Sequence, residues 1–222
     1  MWRDALLVAG KDLRIERRSR VATNQVVPFA FLVLILFAFP FDVDSGVLTR
    51  AAPGLFWVAV LFSAVLAVQR SATIESTEGA RDQLRLSGLD PAGIFLGKMA
   101  AVAVQLAVLE VLLGVGVVIL YNARIHGVVL VVLTCVATTL GLAAAGTLFG
   151  SLAGGLRVRD TLLPLLLLPV VAPVLLAATK ASEAALGGVS ADGAPWLRLL
   201  AVFAVIYLTF GVLIYGSLLE DS

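Results

Sequence analysis

Six long apolar stretches, separated by short polar segments, account for most of this chain. They cover residues 24–41, 51–69, 99–121, 127–154, 161–179 and 196–219. A helix of roughly 20 apolar residues crosses a bilayer core about 30 Å thick, whereas soluble domains interrupt their apolar runs with polar faces. The pattern predicts an all-α polytopic membrane protein, in which residues 1–222 form a single transmembrane domain with six transmembrane helices.

The polar segment before the first stretch, residues 1–22, is predicted to form an amphipathic helix. A basic amphipathic helix with a tryptophan on its apolar side lies in the headgroup layer. A positively charged flank that only sets the topology would have a similar composition, and one segment can serve both purposes. The apolar stripe consists of Trp2, Ala5, Leu6, Ala9 and Leu13, and the basic face of Arg3, Lys11, Arg14 and Arg18.

The longest internal polar segment, residues 70–98, separates the second and third spans. Its acidic Glu78 precedes its basic Arg81 and Arg85, which is the order of charges that suits a helix dipole. Asp90 and Pro91 are typical of an N-cap and a first helical position. The segment therefore predicts a short surface helix over residues 72–87, a turn, and the start of the third span. Such a helix either contacts a soluble partner or is a solvated connector.

Basic residues are distributed unevenly between the two sides of the predicted topology. Twelve lie in the first, third and fifth polar segments, which include the amino-terminal one, and four are assigned to the second, fourth and sixth segments on the other side. Lysine and arginine accumulate in short cytoplasmic loops. We therefore expect both the amino terminus and the carboxyl terminus to be cytoplasmic.

Composition leaves little room for catalysis within these 222 residues. Hydrophobic residues make up 60% and charged residues 14% of the chain, and a separate ATPase domain would need about 100 further residues. His126 is the only histidine and Cys135 the only cysteine, which excludes a multi-histidine metal site and an internal disulfide. Residues 93–98 lack the spacing of a phosphate-binding loop. We expect no catalytic, cofactor-binding or metal-binding residue in this chain.

The predicted spans contain a run of spaced glycines and one glutamate. Gly146, Gly150 and Gly154 place small residues on one helix face, which favours close helix packing within the bundle or against a second copy. Glu110 lies halfway along the third span. A carboxyl group is costly there and should face the bundle interior, either protonated or paired. A structural, hydrogen-bonded glutamate and a proton or substrate site are both compatible with this position.

His126 lies at the outer end of the fourth span. An interfacial histidine is one interpretation, and haem ligation or a response to pH are the alternatives. The sequence does not discriminate between them.

Several motifs resemble those of ABC-2-type permeases and, more specifically, of the CcmB family. The loop between spans two and three has Glu78-Gly79, then Leu84, Leu86 and Leu89, and then Gly97-Lys98. The more specific stretches are RAAPGLFWVA at residues 50–59 and LLPVVAP at residues 167–173. The length and the number of spans agree with that family over the whole chain.

This resemblance implies a membrane (permease) subunit of an ABC transporter complex for cytochrome c biogenesis and haem transport in the bacterial inner membrane. Two copies would pair with two copies of a separate ATPase, CcmA, which binds ATP and magnesium. They would associate with the membrane proteins CcmC and CcmD and act on haem, with ATP hydrolysis tied to release of the haem-loaded periplasmic chaperone CcmE. The expected contacts with the ATPase are Glu78, Arg81, Leu84 and Arg85.

Two other functions remain open from the sequence. An ABC-2-type permease that exports a lipid, glycan or drug would share the same architecture. A stand-alone proton-coupled carrier would instead depend on Glu110 and need no ATPase. An intramembrane enzyme is disfavoured because no arrangement of a nucleophile with a base, or of metal ligands, is recognisable.

Overall fold

The structure is a computed structural model that describes residues 1–19, 27–38, 47–77, 88–123, 125–153, 159–188 and 190–220. Across these ranges the chain is helical and contains no strand. The helices, in chain order, are α1 (Trp2–Ser19), α2 (Val27–Ala38), α3 (Val47–Thr77), α4 (Pro91–Leu120), α5 (Val128–Ala153), α6 (Arg159–Leu186) and α7 (Ser190–Glu220).

Five of the described helices, α3 to α7, are long and apolar enough to cross a membrane, and α2 is a shorter apolar helix. This confirms the predicted all-α, polytopic membrane fold. Helix α3 continues without a break to Thr77, so residues 72–77, expected at the start of a surface helix, extend the second span. The rest of that predicted helix, residues 78–87, lies outside the described residues.

Local sequence explains where α4 begins. The Asp90 side chain accepts a hydrogen bond from the backbone N–H of Ala92 at 3.2 Å, and Pro91 occupies the first turn. Gly88, just before this cap, has a φ of +67°, a left-handed conformation that glycine adopts without steric cost. The predicted turn and N-cap are confirmed here.

Helix α5 lies at the centre of the bundle and packs against α3, α4, α6 and α7. Its carboxyl-terminal half is rich in glycine and alanine and is almost entirely buried. A Cβ atom on Gly146 would lie 2.5 Å from Cγ2 of Val68, and one on Gly150 would lie 3.0 Å from Cγ1 of the same residue. These two glycines therefore allow α3 to approach α5 closely, while Gly154 lies outside the described residues.

Candidate functional site

The structure places the ends of the polar segment that was predicted to contact a partner. Helix α3 ends at Thr77 and α4 begins at Pro91. Glu78, Arg81, Leu84 and Arg85 lie between these points, outside the described residues, so their role stays a prediction. The ends of α3 and α4 together with α1 form the cytoplasmic junction, a name that follows the orientation expected from the sequence, and this junction adjoins both ends of the segment.

Helix α1 lies directly on α4 at two glycines one helical turn apart. A Cβ atom on Gly93 would lie 2.8 Å from the carbonyl oxygen of Met1, and one on Gly97 would lie 2.6 Å from that of Ala5. Such distances are shorter than van der Waals contact, so only glycine allows the two backbones to come this close. Sequence reasoning considered residues 93–98 as a phosphate loop and Gly97-Lys98 as part of the family resemblance, and it missed this packing role.

The apolar residues of α1 divide into two faces instead of the single stripe expected. Ala5 and Val8 are buried in the contact with α4. Trp2 is 73% exposed and Leu6 is exposed beside it. Helix α1 therefore uses one face to pack on the protein and leaves a second apolar face, next to its basic residues, for the headgroup layer.

An ion pair connects α1 with α3 as well. Arg70 Nε donates a hydrogen bond to Glu16 Oε2 at 2.9 Å, and the Glu16 side chain is only 11% exposed. Hydrogen bonds between charged groups contribute more than neutral ones, although partial exposure of Arg70 keeps the contribution near 1 kcal/mol. Because α1 contacts α3 through Arg70 and α4 through Gly93 and Gly97, it connects both ends of the polar segment.

A short hydrogen-bonded cluster stabilises the start of α1 against the cap of α4. The terminal ammonium of Met1 donates to Asp4 at 3.0 Å, and this hydrogen bond lowers the pKa of the Asp4 carboxyl. The backbone N–H of Asp90 also lies 3.4 Å from Asp4 Oδ2. The first turn of α1 is thus bonded to the residue that caps α4.

Lys98, the residue after Gly97, is buried within the bundle. It is 3% exposed and lines a small cavity between α3, α4 and α5 together with Ser71, Thr147 and Ser151. A lysine at this depth is retained only where polar groups surround it. The Gly97-Lys98 pair therefore combines two contacts, since Gly97 packs on α1 and Lys98 lines the polar cavity.

Glu110 lies at mid-membrane height in the contact between α4 and α5. It is 6% exposed and accepts a hydrogen bond from Thr139 Oγ1 at 2.5 Å. The hydroxyl belongs to α5, so this hydrogen bond joins the two helices. Glu110 and Cys135, which is one turn before Thr139, also line a groove of about 500 Å³ on the outer surface of the bundle.

His126 connects two loops at the end of the bundle opposite to α1. Its Nδ1 lies 2.7 Å from the carbonyl oxygen of Leu186, and the backbone N–H of Gly127 donates to Ala185. These bonds hold the connection between α4 and α5 against the end of α6. Over the ranges that the structure describes, no group of three or more His, Cys, Asp or Glu side chains could hold a metal ion.

The stretch at residues 50–59 packs the amino-terminal half of α3 against α6. Trp57 is buried and its indole N–H donates to Ser182 Oγ at 3.0 Å. Ala52 and Pro53 are buried on the same helix. The motif that supported the resemblance is therefore a packing element rather than a binding site.

Comparison with known proteins gives one family over nearly the whole chain. The family model described as CcmB protein matches residues 3–220. Heme exporter protein B of Haemophilus influenzae is 31% identical over 180 residues, which are 81% of each chain. Heme exporter protein B of Pseudomonas aeruginosa is 28% identical over 209 residues, 94% of this chain and 93% of the relative. That of Bradyrhizobium diazoefficiens is 28% identical over 90% of each chain. This chain belongs to the CcmB family.

Proposed function

We propose that this protein is the membrane-embedded permease subunit of a haem-exporter ABC complex in cytochrome c biogenesis. The family match over residues 3–220 and relatives named heme exporter protein B support this function. The protein would be a multi-pass protein of the bacterial inner membrane with both termini in the cytoplasm. Haem would be handled by the complex, while this chain would bind no cofactor itself.

In this proposal the spans of this chain change conformation. A separate CcmA-like ATPase binds ATP and magnesium and supplies the energy of hydrolysis. The observation that carries this proposal is the cytoplasmic junction, where α1 contacts both α3 and α4. Residues 78–87 join these same two helices, so a force applied to them reaches both spans together. Glu78, Arg81, Leu84 and Arg85 would form the contact with the ATPase.

The remaining partners follow from the same assignment. A second copy of this chain would complete the permease, and CcmC-like and CcmD-like membrane proteins would accompany it. Closure of the ATPase dimer would tilt the spans and release a haem-loaded, CcmE-like periplasmic chaperone. This mechanism needs no nucleophile or metal ligand in the permease.

The test combines two substitutions in the polar segment. Glu78→Ala with Arg81→Ala should detach the ATPase or uncouple its hydrolysis from cytochrome c production, while membrane insertion is unchanged. Co-purification of the ATPase, ATP hydrolysis and haem-stained cytochrome c are the measurements. Asp192→Ala with Arg198→Ala, which removes an acidic and a basic side chain exposed on α7, is the matched control. Unchanged ATPase binding together with unchanged cytochrome c would contradict the proposal.

A further inference from the structure

The groove beside Glu110 opens toward the lipid side of the bundle, between α4 and α5. Its walls are formed by apolar side chains that are exposed in the single chain, among them Val104 and Val111 of α4 and Val132 and Val136 of α5. With a volume of about 500 Å³, it falls within the range of roughly 300–1,000 Å³ found for binding pockets. Only a molecule or helix that is already in the membrane can reach it.

The groove is almost entirely apolar, but its floor contains the buried Glu110 side chain, which a surface facing only acyl chains would not need. Glu110 lines it together with Thr139 and Cys135. A carboxyl group keeps spare acceptor positions whether it is ionised or protonated, and the Thr139 hydroxyl donates one hydrogen bond to it. Acceptor capacity therefore remains for a donor that enters the groove, and in hydrocarbon such a donor would be strongly favoured.

Small side chains on the groove allow a helix to approach. Ala103 and Ala107 are one turn apart on α4, and Cys135 and Thr139 are one turn apart on α5. Small residues at this spacing together with one polar group are characteristic of contacts between transmembrane helices. Residues 103–111 extend about 12 Å along α4 at 1.5 Å per residue, which is enough for two turns of a docked helix.

The candidate occupants of the groove differ in whether they can donate a hydrogen bond to Glu110. An acyl chain has no donor for Glu110. A second copy docked by the same groove around a two-fold axis would bring two Glu110 carboxyl groups together. Haem carries carboxylates of its own, which an acidic floor repels. A helix from a different chain, with a hydroxyl, amide or cationic side chain at mid-membrane height, satisfies both the small side chains and the acceptor.

We propose that the groove between α4 and α5 is the docking site for a transmembrane helix of a companion subunit that donates a hydrogen bond to Glu110. This inference rests on the proposed function, because it requires a second kind of membrane subunit in the complex. It adds a surface far from the predicted ATPase contact, on the membrane-embedded part of the chain.

The test uses the full complex in native membranes, with a photo-crosslinking amino acid at Val136 in the groove wall. The expected result is an adduct with one companion subunit, mapped by mass spectrometry to a membrane span that has a donor side chain within one turn of the crosslink. The same amino acid at Val205, which is exposed on α7 outside the groove, should give no such adduct.

A pair of adjacent substitutions on α4 provides the second measurement. Ala107→Trp fills the groove and should reduce the crosslink from Val136 by about tenfold or more. Val108→Trp, at an exposed neighbour that does not line the groove, should leave the crosslink unchanged.

Four results would overturn the docking proposal: no protein adduct from Val136, an adduct only with a second copy of this chain, an adduct only with lipid or haem, or a mapped span without a donor. ATPase co-purification from the same membranes keeps the two proposals separate. If the ATPase co-purifies but the adduct fails, the docking site is wrong and the proposed function stands. If the adduct forms without any ATPase, the proposed function is wrong.

Discussion

The beginning of α4 and the remainder of the helix have different surroundings although both are apolar. Residues 93–99 near its amino-terminal end are all buried, beneath α1 and against α3, α5 and α7. Farther along, Val104, Val108, Val111 and Val115 are exposed at helical spacing. The difference shows that one helix is fixed in a protein core at its amino-terminal end and exposed to lipid farther along. A displacement that enters at the junction is therefore carried by tightly packed neighbours.

The largest difference in stability is expected from a matched pair of glycine substitutions on α4. Gly97→Leu places a Cβ atom 2.6 Å from the carbonyl oxygen of Ala5, whereas a Cβ atom on Gly114 would have nothing within 4 Å. Both changes gain the same helix propensity, so their difference isolates packing. We expect Gly97→Leu to lower the free energy of unfolding by about 2–3 kcal/mol and to expose α1 to trypsin.

The measurement is thermal unfolding in detergent together with limited proteolysis. Gly114→Leu should be as stable as the wild type or slightly more stable. Equal stability of the two variants would show that α1 does not pack on α4 as described.

A smaller effect is expected farther along α4, at Glu110. Glu110→Leu removes the acceptor for Thr139 and should cost about 1–2 kcal/mol, while Glu110→Gln keeps an acceptor and should cost less than about 1 kcal/mol. Thermal unfolding measures the stability of both variants. Cytochrome c production measures their function, and we expect Glu110→Gln to retain it. Loss of function in Glu110→Gln without loss of stability would instead favour the proton-coupled carrier.

The smallest effect is expected at the ion pair between α1 and α3. Glu16→Gln should lower the free energy of unfolding by about 0.5–1 kcal/mol, because the partner Arg70 is partly exposed. The loss should shrink at about 0.5 M salt, where charges are screened over a few ångströms. Lys180→Gln disrupts a more exposed pair with Glu183 at the other end of the bundle, and unfolding temperatures at both salt concentrations should not change. An equal loss in both variants would mean that the α1–α3 contact has no special role.

The fold was predictable because an apolar run of this length satisfies its backbone polar groups in a bilayer by forming a helix. In addition, Asp90 and Pro91 mark the start of α4. The contacts of α1 were not predictable. A pair of glycines such as Gly93 and Gly97 indicates that some backbone comes close, but periodicity does not identify which helix supplies it. For the same reason the sequence placed Ala5 with Trp2 and Leu6 on one stripe, whereas the structure buries Ala5 alone of these three.

The groove beside Glu110 illustrates a second limit. The sequence gives the position of a carboxyl group within a span and the rule that it must be paired. Its donor, Thr139, lies on the next helix, and the register between two antiparallel spans depends on packing at many other positions. The pairing therefore became visible only in three dimensions.

The unbroken length of α3 has a mechanical consequence. Its 31 residues make a rod of about 46 Å, longer than the roughly 30 Å of hydrocarbon that it crosses. A rigid rod pivoting near one end moves its far end by its length multiplied by the angle. A rotation of about ten degrees would thus move Thr77 by about 8 Å. Small changes in the tilt of the spans therefore correspond to large displacements of the helix ends outside the hydrocarbon.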